Sequence, residues 1–234
     1  MNTHTVVILP TFNEVKNIGP IIDKIHSVVP YVRILVVDDN SPDGTADIIS
    51  ARSTIDDRVS LLLRQKKEWL GRAYVHAFMH TLQDSRVEQI IMMDADFSHD
   101  PEYLIPMIEA RESADLVIGS RYIRGGSTEG WEPWRKALSN YGNLYCHVVT
   151  GMNIHDATGG FNCISASALR SINFDSLDLS GYAFQMQLKY AFWKKGFKIT
   201  EIPIVFKNRR EGESKISNHI ILEGILAPWK LRLK

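Results

Sequence analysis

Short, unbroken runs of aliphatic and β-branched residues recur through the first half of this chain, each followed by a stretch with helical spacing. The runs fall at residues 5–10, 33–37, 59–63, 89–93 and 116–119. Strand-length apolar runs that alternate with helices argue for βαβ units and a mostly parallel sheet. The runs are continuous and do not alternate with polar residues, so both sheet faces are expected to be covered. Helices are expected at residues 18–28, 45–51 and 71–82, and from Pro101, a residue suited to a first helical turn. Asn17 is placed to cap the first of these, whose apolar face is Ile18, Ile21, Ile22, Ile25 and Val28. Beyond Gly125 the order loosens. The pattern predicts a helix over 134–149, a turn at Thr158-Gly159-Gly160 and a short strand at 161–165. A helix at 181–195, a last strand at 199–206 and a polar loop reaching Ser217 complete it.

At 234 residues the chain can bury a core of one domain. The 27 basic and 27 acidic residues cancel to a net charge of +0, so the basic excess of a nucleic-acid binder is missing and no nucleic-acid partner is expected. Cys146 and Cys163 lack Cys-x-x-Cys spacing or a neighbouring histidine cluster; they read as buried thiols in a reducing compartment. No apolar run approaches the ~18 residues of a membrane-spanning helix. Residues 1–5 lack the basic-then-apolar order of a signal peptide. Any membrane role is therefore expected to be peripheral.

Ligands of parallel α/β sheets sit at the carboxyl ends of the strands. Glu14, the pair Asp38-Asp39 and the pair Asp94/Asp96 all fall there. In Asp94-Ala95-Asp96 the two carboxylates are two residues apart on an extended chain, roughly 6.5 Å between α-carbons. That spacing suits Mg²⁺ or Mn²⁺, which takes one or two carboxylates and fills its shell with phosphate oxygens and water. Asp-x-Asp is also a common loop-capping tripeptide. Asp38 and Asp39 offer acceptors for a ribose or a base edge, or else form an Asx-type turn with Asp43 and Gly44 before the next helix. The polar stretch Asn208-Arg209-Arg210-Glu211-Gly212-Glu213-Ser214-Lys215 brings three cations that suit a diphosphate leaving group, or else a solvated loop.

Together these segments resemble the polyprenol-phosphate mannose synthases of glycosyltransferase family 2, which include the dolichol-phosphate mannose synthases. The resemblance is carried by Pro10-Thr11-Phe12-Asn13-Glu14, residues 36–45 (VVDDNSPDGT) and Met93-Asp94-Ala95-Asp96-Phe97-Ser98-His99. Gly119-Ser120-Arg121-Tyr122, Gly125-Gly126, Thr158-Gly159-Gly160-Phe161, Gly181-Tyr182-Ala183-Phe184-Gln185 and Gly212-Glu213-Ser214-Lys215 follow in the same order. The likeness spans residues 6–215. It implies an α/β GT-A fold, a Rossmann-like, mostly parallel central sheet with helices on both faces, and an inverting transfer of mannose from GDP-mannose to the phosphate of a polyprenol lipid. By the same resemblance Pro10, Phe12, Glu14, Val37 and Asp39 frame the guanosine. Asp94, Ala95 and Asp96 hold ribose, diphosphate and a Mg²⁺ or Mn²⁺ ion, with Asp94 and Asp96 as the metal carboxylates. Arg209 and Lys215 clamp diphosphate and sugar, and Arg121 and Arg135 receive the acceptor phosphate. Asp96, Arg121, Arg209 and Lys215 form the catalytic set.

Three departures stand out. Trp69 replaces a glycine in a segment often reading Lys-x-Gly-Leu-Gly, Ala77 stands where glycine is frequent, and Ser98 stands where some relatives place a glutamine metal ligand; Ser98 is left out of the metal set. Alternatives remain a polyprenol-phosphate glucosyltransferase, another family 2 transferase with a different donor, or a non-catalytic nucleotide-sugar-binding subunit. A lipid monophosphate is largely a dianion at neutral pH, its second pKa being about 6. It can attack without a general base once its charge is matched by cations. The expected organisation is a catalytic domain over residues 1–217 and an amphipathic segment over 218–234. That segment carries Trp229 beside Lys230, Arg232 and Lys234, and is expected to lie on the cytoplasmic face of a membrane or against a membrane-anchoring partner protein, or else to pack on the domain. Pro228 is expected to kink or end its helix.

Overall fold

The computed structural model describes residues 4–178, 183–208 and 218–233, with residues 218–222 described by backbone alone. In chain order the elements are β1 (Thr5–Thr11), α1 (Ile18–Val28), β2 (Arg33–Asp38), α2 (Thr45–Ser53), β3 (Val59–Leu63), α3 (Leu70–Thr81), β4 (Gln89–Met92), α4 (Leu104–Arg111), β5 (Leu116–Ser120), β6 (Ser127–Thr128), α5 (Pro133–Thr150), β7 (Asn162–Ser165), α6 (Ala166–Arg170), α7 (Phe184–Lys194), β8 (Ile199–Pro203), β9 (Val205–Phe206) and α8 (Asn218–Arg232). Seven strands form one sheet in the order β3-β2-β1-β4-β7-β5-β8, and β6 pairs with β9 in a small second sheet. All pairings are parallel except those of β7, which runs antiparallel to both β4 and β5.

The expected α/β sheet with helices on both faces is the one found, and the continuous apolar runs have a direct cause. Successive strand residues point to opposite faces. Val6 and Ile8 of β1, Ile90 and Met92 of β4, and Leu116 and Ile118 of β5 enter one buried cluster with Tyr74, Phe78 and Phe184 from α3 and α7. Val7 and Leu9, Ile91 and Met93, and Val117 enter a second cluster with Ile18, Ile21, Ile22 and Ile25 of α1 and Met107 of α4. Each of those four fully covered isoleucines is worth about 1.5–3 kcal/mol of burial.

Several local expectations are corrected. Asn17 does not cap α1 through its side chain: its backbone is already helical (φ −98°, ψ −33°), and its amide donates to Glu14 Oε2 at 2.8 Å. Pro101 opens a 3-10 turn over Pro101–Tyr103, which leads into α4. The predicted strand at 199–206 is broken at Ile204, whose N–H bonds to Ser120 O while β9 leaves for β6; Pro203, without an N–H, sits at the break. Helix α8 runs through Pro228.

The reversed strand β7 matters most for function. Because it is antiparallel, its start lies at the carboxyl edge of the parallel strands, with Asn162 opposite Met92 and Ile118. The loop entering it, residues 156–161, therefore arrives beside Asp94 and Asp96. The strand order also reverses between β1 and β4, the crevice where open α/β sheets bind ligands.

Candidate active site

On the β1–β2 side, most acidic groups already have protein partners. Asp38 is fully buried. Its Oδ2 accepts from Thr11 Oγ1 and Ser41 Oγ, each at 2.7 Å, and its Oδ1 from Ser41 N at 2.8 Å. Asp43 shapes the turn as expected, accepting from Val15 N, Thr45 N and Thr45 Oγ1, while Gly44 takes the left-handed conformation (φ 89°) ahead of α2. Asp39 accepts from Arg64 Nη1 at 2.5 Å and Glu68 N at 3.2 Å, and Arg64 also bonds Glu68. The Lys67 ammonium lies 3.7 Å over the Phe12 ring. Pro10 lies beside Val37 in the β1–β2 ladder, and the Val37 side chain belongs to the core below. Thus Pro10, Phe12, Glu14 and Asp39 gather at one crevice wall, with Val37 behind them.

Past β4 Asp94 is partly exposed and Asp96 is buried. Asp96 Oδ1 accepts from Ser98 N at 3.0 Å and Ser98 Oγ at 2.6 Å, which fixes that carboxylate's orientation. Ser98 is thus an orienting group. Ala95 packs into the core. His99 is buried, and burial pushes its ring below its ordinary pKa; Nδ1 accepts from Asp94 N at 3.0 Å, so the ring is neutral and carries its proton on Nε2. The buried Tyr74 phenol, raised by burial and by the Asp94 and Asp96 charges, lies beneath. Among the described residues, the non-glycine residues with left-handed backbone are Asn13, Asn40 and Phe97. Each lies in a strand-end motif of this crevice. Asparagine tolerates that conformation; Phe97 (φ 62°) stores local strain of about 1–3 kcal/mol.

The third wall is the loop before β7. Asp156 is fully buried. Its Oδ2 accepts from Arg121 N and Nε, its Oδ1 from Arg121 Nη2 and Gly159 N. The Arg121 guanidinium holds the Asp156 carboxyl down at about 2 against the opposing effect of burial. Lys189 of α7 is also buried and donates to Asp156 O, Ala157 O and Gly159 O at 3.0, 3.3 and 2.6 Å. Burial lowers its ammonium to about 8. Arg135 stacks on Trp131 at 4.0 Å. Trp131 meets Phe206, Phe206 meets His99, and His99 stacks on Phe161, so an aromatic chain joins the acidic motif to the Arg121–Arg135 side. Arg209 and Lys215 lie outside the described residues, as do Gly181 and Tyr182.

The model of the protein family described as glycosyl transferase family 2 matches residues 6–172. The chain belongs to glycosyl transferase family 2. It is 39% identical to an undecaprenyl-phosphate mannosyltransferase of Micrococcus luteus over 94% of this chain and 90% of that protein. It is 40% identical to a polyprenol monophosphomannose synthase of Mycolicibacterium smegmatis, over 97% and 87%. It is therefore a glycosyltransferase. In fold it resembles glucosyl-3-phosphoglycerate synthase from Mycobacterium tuberculosis in complex with Mn²⁺, UDP and phosphoglyceric acid, with a TM-score of 0.70, 16% identity and coverage of 97% of this chain and 78% of that one. It also resembles a mannosyltransferase from Pyrobaculum calidifontis in complex with GDP-Man and Mn²⁺, with a TM-score of 0.60, 14% identity, and coverage of 100% and 73%.

For a family 2 enzyme, the donors at the β4 end suit a hard divalent cation: two carboxylates, one of them oriented by Ser98. Among the described residues no cluster of three or more His, Cys, Asp or Glu side chains comes together as a metal site. Sequence reasoning missed Arg64, Asp156 and Lys189. Asp156 had a signal, a lone carboxylate among Ile154, Ala157 and Phe161 just before the glycine pair. Lys189 had one too, a cation four residues after Gln185 on the buried face of α7. The two cysteines are free and buried, and burial pushes their thiols up to about 11 and 12.

Proposed function

We propose that this protein transfers mannose from GDP-mannose, with inversion, to the phosphate of a polyprenol lipid. The observation that carries this reading is the state of the acceptor-side carboxylate. Asp156 is locked in a bidentate pair with Arg121 and held ionised at about 2. A carboxylate so acidic and so fully engaged is a poor general base for a sugar hydroxyl. An acceptor that brings its own negative charge needs no such base, only cations to offset its repulsion from the donor diphosphate. The two relatives near 40% identity, an undecaprenyl-phosphate mannosyltransferase and a polyprenol monophosphomannose synthase, support the same acceptor class.

In this reading Pro10, Phe12, Glu14, Val37 and Asp39 frame the guanosine, and the backbone at Ala95 passes beside the ribose. Asp94 and Asp96 hold a Mg²⁺ or Mn²⁺ ion, which when bound offsets diphosphate charge. Arg209 and Lys215 supply further positive charge to the leaving group. Arg135, stacked on Trp131, meets the acceptor phosphate, with Arg121 behind it. The lipid enters from a bilayer surface on the cytoplasmic side. Trp134, Leu138, Tyr141, Leu144 and Val148 of α5 are exposed along the helix that carries Arg135. Helix α8 packs against α5 and exposes Ile225, Leu226 and Trp229, with Leu233 exposed just past its end. Apolar side chains with Trp, Lys136, Lys230 and Arg232 on the same two helices suit a headgroup boundary. No helix among the described residues is long and apolar enough to cross a membrane.

The test is an extraction assay. Purified protein, radiolabelled GDP-mannose, a short polyprenol phosphate and Mg²⁺ or Mn²⁺ are incubated and label is counted in the organic phase. Label that disappears with chelator and in Asp96→Ala supports the reading, and the anomeric configuration of the product tests inversion. Label obtained from another sugar nucleotide and not from GDP-mannose refutes the donor.

A further inference from the structure

Gln185 of α7 is buried, with 6% of its surface exposed, yet its Nε2 has no hydrogen-bond partner among the described residues. The amide's orientation is set by its neighbours. Asn162 Nδ2 donates to Gln185 Oε1 at 3.1 Å and also reaches Gly159 O at 3.4 Å. Flipping Asn162 would turn its carbonyl oxygen onto that of Gly159, so the end of Gln185 left over is a donor. An unsatisfied buried N–H costs about 1–3 kcal/mol, which is sustained where a ligand supplies the acceptor.

A second, independent feature shows where that acceptor sits. Gly160 opens the β7 edge of the crevice. A methyl group there would lie 3.5 Å from His99 Cε1, 3.6 Å from Gln185 Nε2 and 4.0 Å from Asp94 Oδ1. The missing side chain thus leaves a small opening where an amide donor and a carboxylate acceptor converge. An alcohol is the group that answers both, because its oxygen accepts one hydrogen bond while its proton is donated in another. A phosphate oxygen answers only the donor, and its charge is better met by cations.

We propose that Gln185 reads a hydroxyl of the transferred hexose above Gly160, Nε2 donating to the hydroxyl oxygen while Asp94 accepts its proton. The assignment rests on the sugar-nucleotide reading of the site and adds to it a contact that distinguishes the sugar from the nucleotide. Lys189, one turn on along α7, holds Gly159 O and so keeps this opening in place.

The experiment compares binding of GDP and GDP-mannose by calorimetry in the presence of Mn²⁺, for wild type, Gln185→Met and Gly160→Ala, alongside their melting temperatures. Gln185→Met keeps the length of the side chain and removes the donor. Gly160→Ala fills the opening at ordinary contact distances and keeps the fold even if the first variant does not. In both, the ratio of GDP-mannose to GDP dissociation constants is expected to rise about tenfold, the effect of one lost hydrogen bond in a desolvated site, with GDP affinity held within about twofold. A set of monodeoxy GDP-mannose donors locates the hydroxyl: the one that loses affinity on wild type loses no more on Gln185→Met. A ratio that stays at the wild-type value in both variants, or GDP and GDP-mannose weakening in parallel, overturns the assignment. If wild type uses a different sugar nucleotide, the same ratio is measured with that donor and its free nucleotide. The mannose reading then fails while Gln185 is judged on its own result.

Discussion

The two acidic pairs at the strand ends look alike in sequence and differ in the folded chain. Asp38 and Asp39 close on protein: Thr11, Ser41, Arg64 and the Glu68 amide satisfy them, and their side chains are almost out of solvent. The second pair is split: Asp96 is as buried as Asp39 and is held by Ser98 N and Oγ, whereas the Asp94 side chain faces Gly160 and keeps 35% of its surface exposed, against 10% for Asp39. The difference thus lies in one carboxylate, Asp94, which stays partly exposed to the crevice where Asp38, Asp39 and Asp96 are buried. Asp156, which sequence reasoning overlooked, is the extreme of the closed kind, with Arg121 and Gly159 N around it.

Four measurements can break or sharpen that contrast. The largest effect is expected past β4: Asp96→Ala lowers mannosyl transfer by about 10³-fold, the scale of losing a main electrostatic stabiliser, with the fold retained. An Asp96→Ala protein that unfolds would place Asp96 among the structural carboxylates. At the closed pair the losses fall on stability. Arg64→Met strands Asp39 as a buried charge and is expected to cost about 3–5 kcal/mol in urea denaturation. Asp38→Ala removes three hydrogen bonds for about 2–3 kcal/mol, at roughly 1 kcal/mol each; equal stability in Asp38→Ala and wild type would contradict the contrast. The smallest effect is in pH. Asp156 is held at about 2, below its ordinary value of 3.8. Its contribution is therefore fully present above the unfolded value and is lost as pH falls from about 4 through 2. This is a decline of about 2 kcal/mol by linkage, expected to flatten in Asp156→Asn. The comparison is the urea midpoint of the two proteins at pH 7 and at pH 2.5.

Much of this enzyme was legible in its sequence for physical reasons that can be named. A parallel sheet covered on both faces requires continuous apolar strands, and β1, β2, β4 and β5 are written that way. The turn at Asp43-Gly44 was legible because a left-handed residue and a short acceptor side chain are local requirements. Helix capping by Asn17 was misread because Glu14, three residues earlier, competes for the same amide. The strand at 199–206 was read as one piece because its apolar pattern continues through Ile204, while the change of partner from β5 to β6 depends on a strand some 75 residues earlier.

Periodicity and local turn chemistry depend on near neighbours along the chain, so the sequence alone determined the fold class, the strand-end placement of Glu14, Asp39, Asp94 and Asp96, and the family. Only the tertiary structure decided which carboxylates are satisfied. Arg64 reaches Asp39 across 25 residues, and Arg121 reaches Asp156 across 35. It also decided the direction of β7: a four-residue strand reads the same in either sense, and only its position between β4 and β5 brings Gly160 and Asn162 to the Asp94 crevice, where Gln185 joins them.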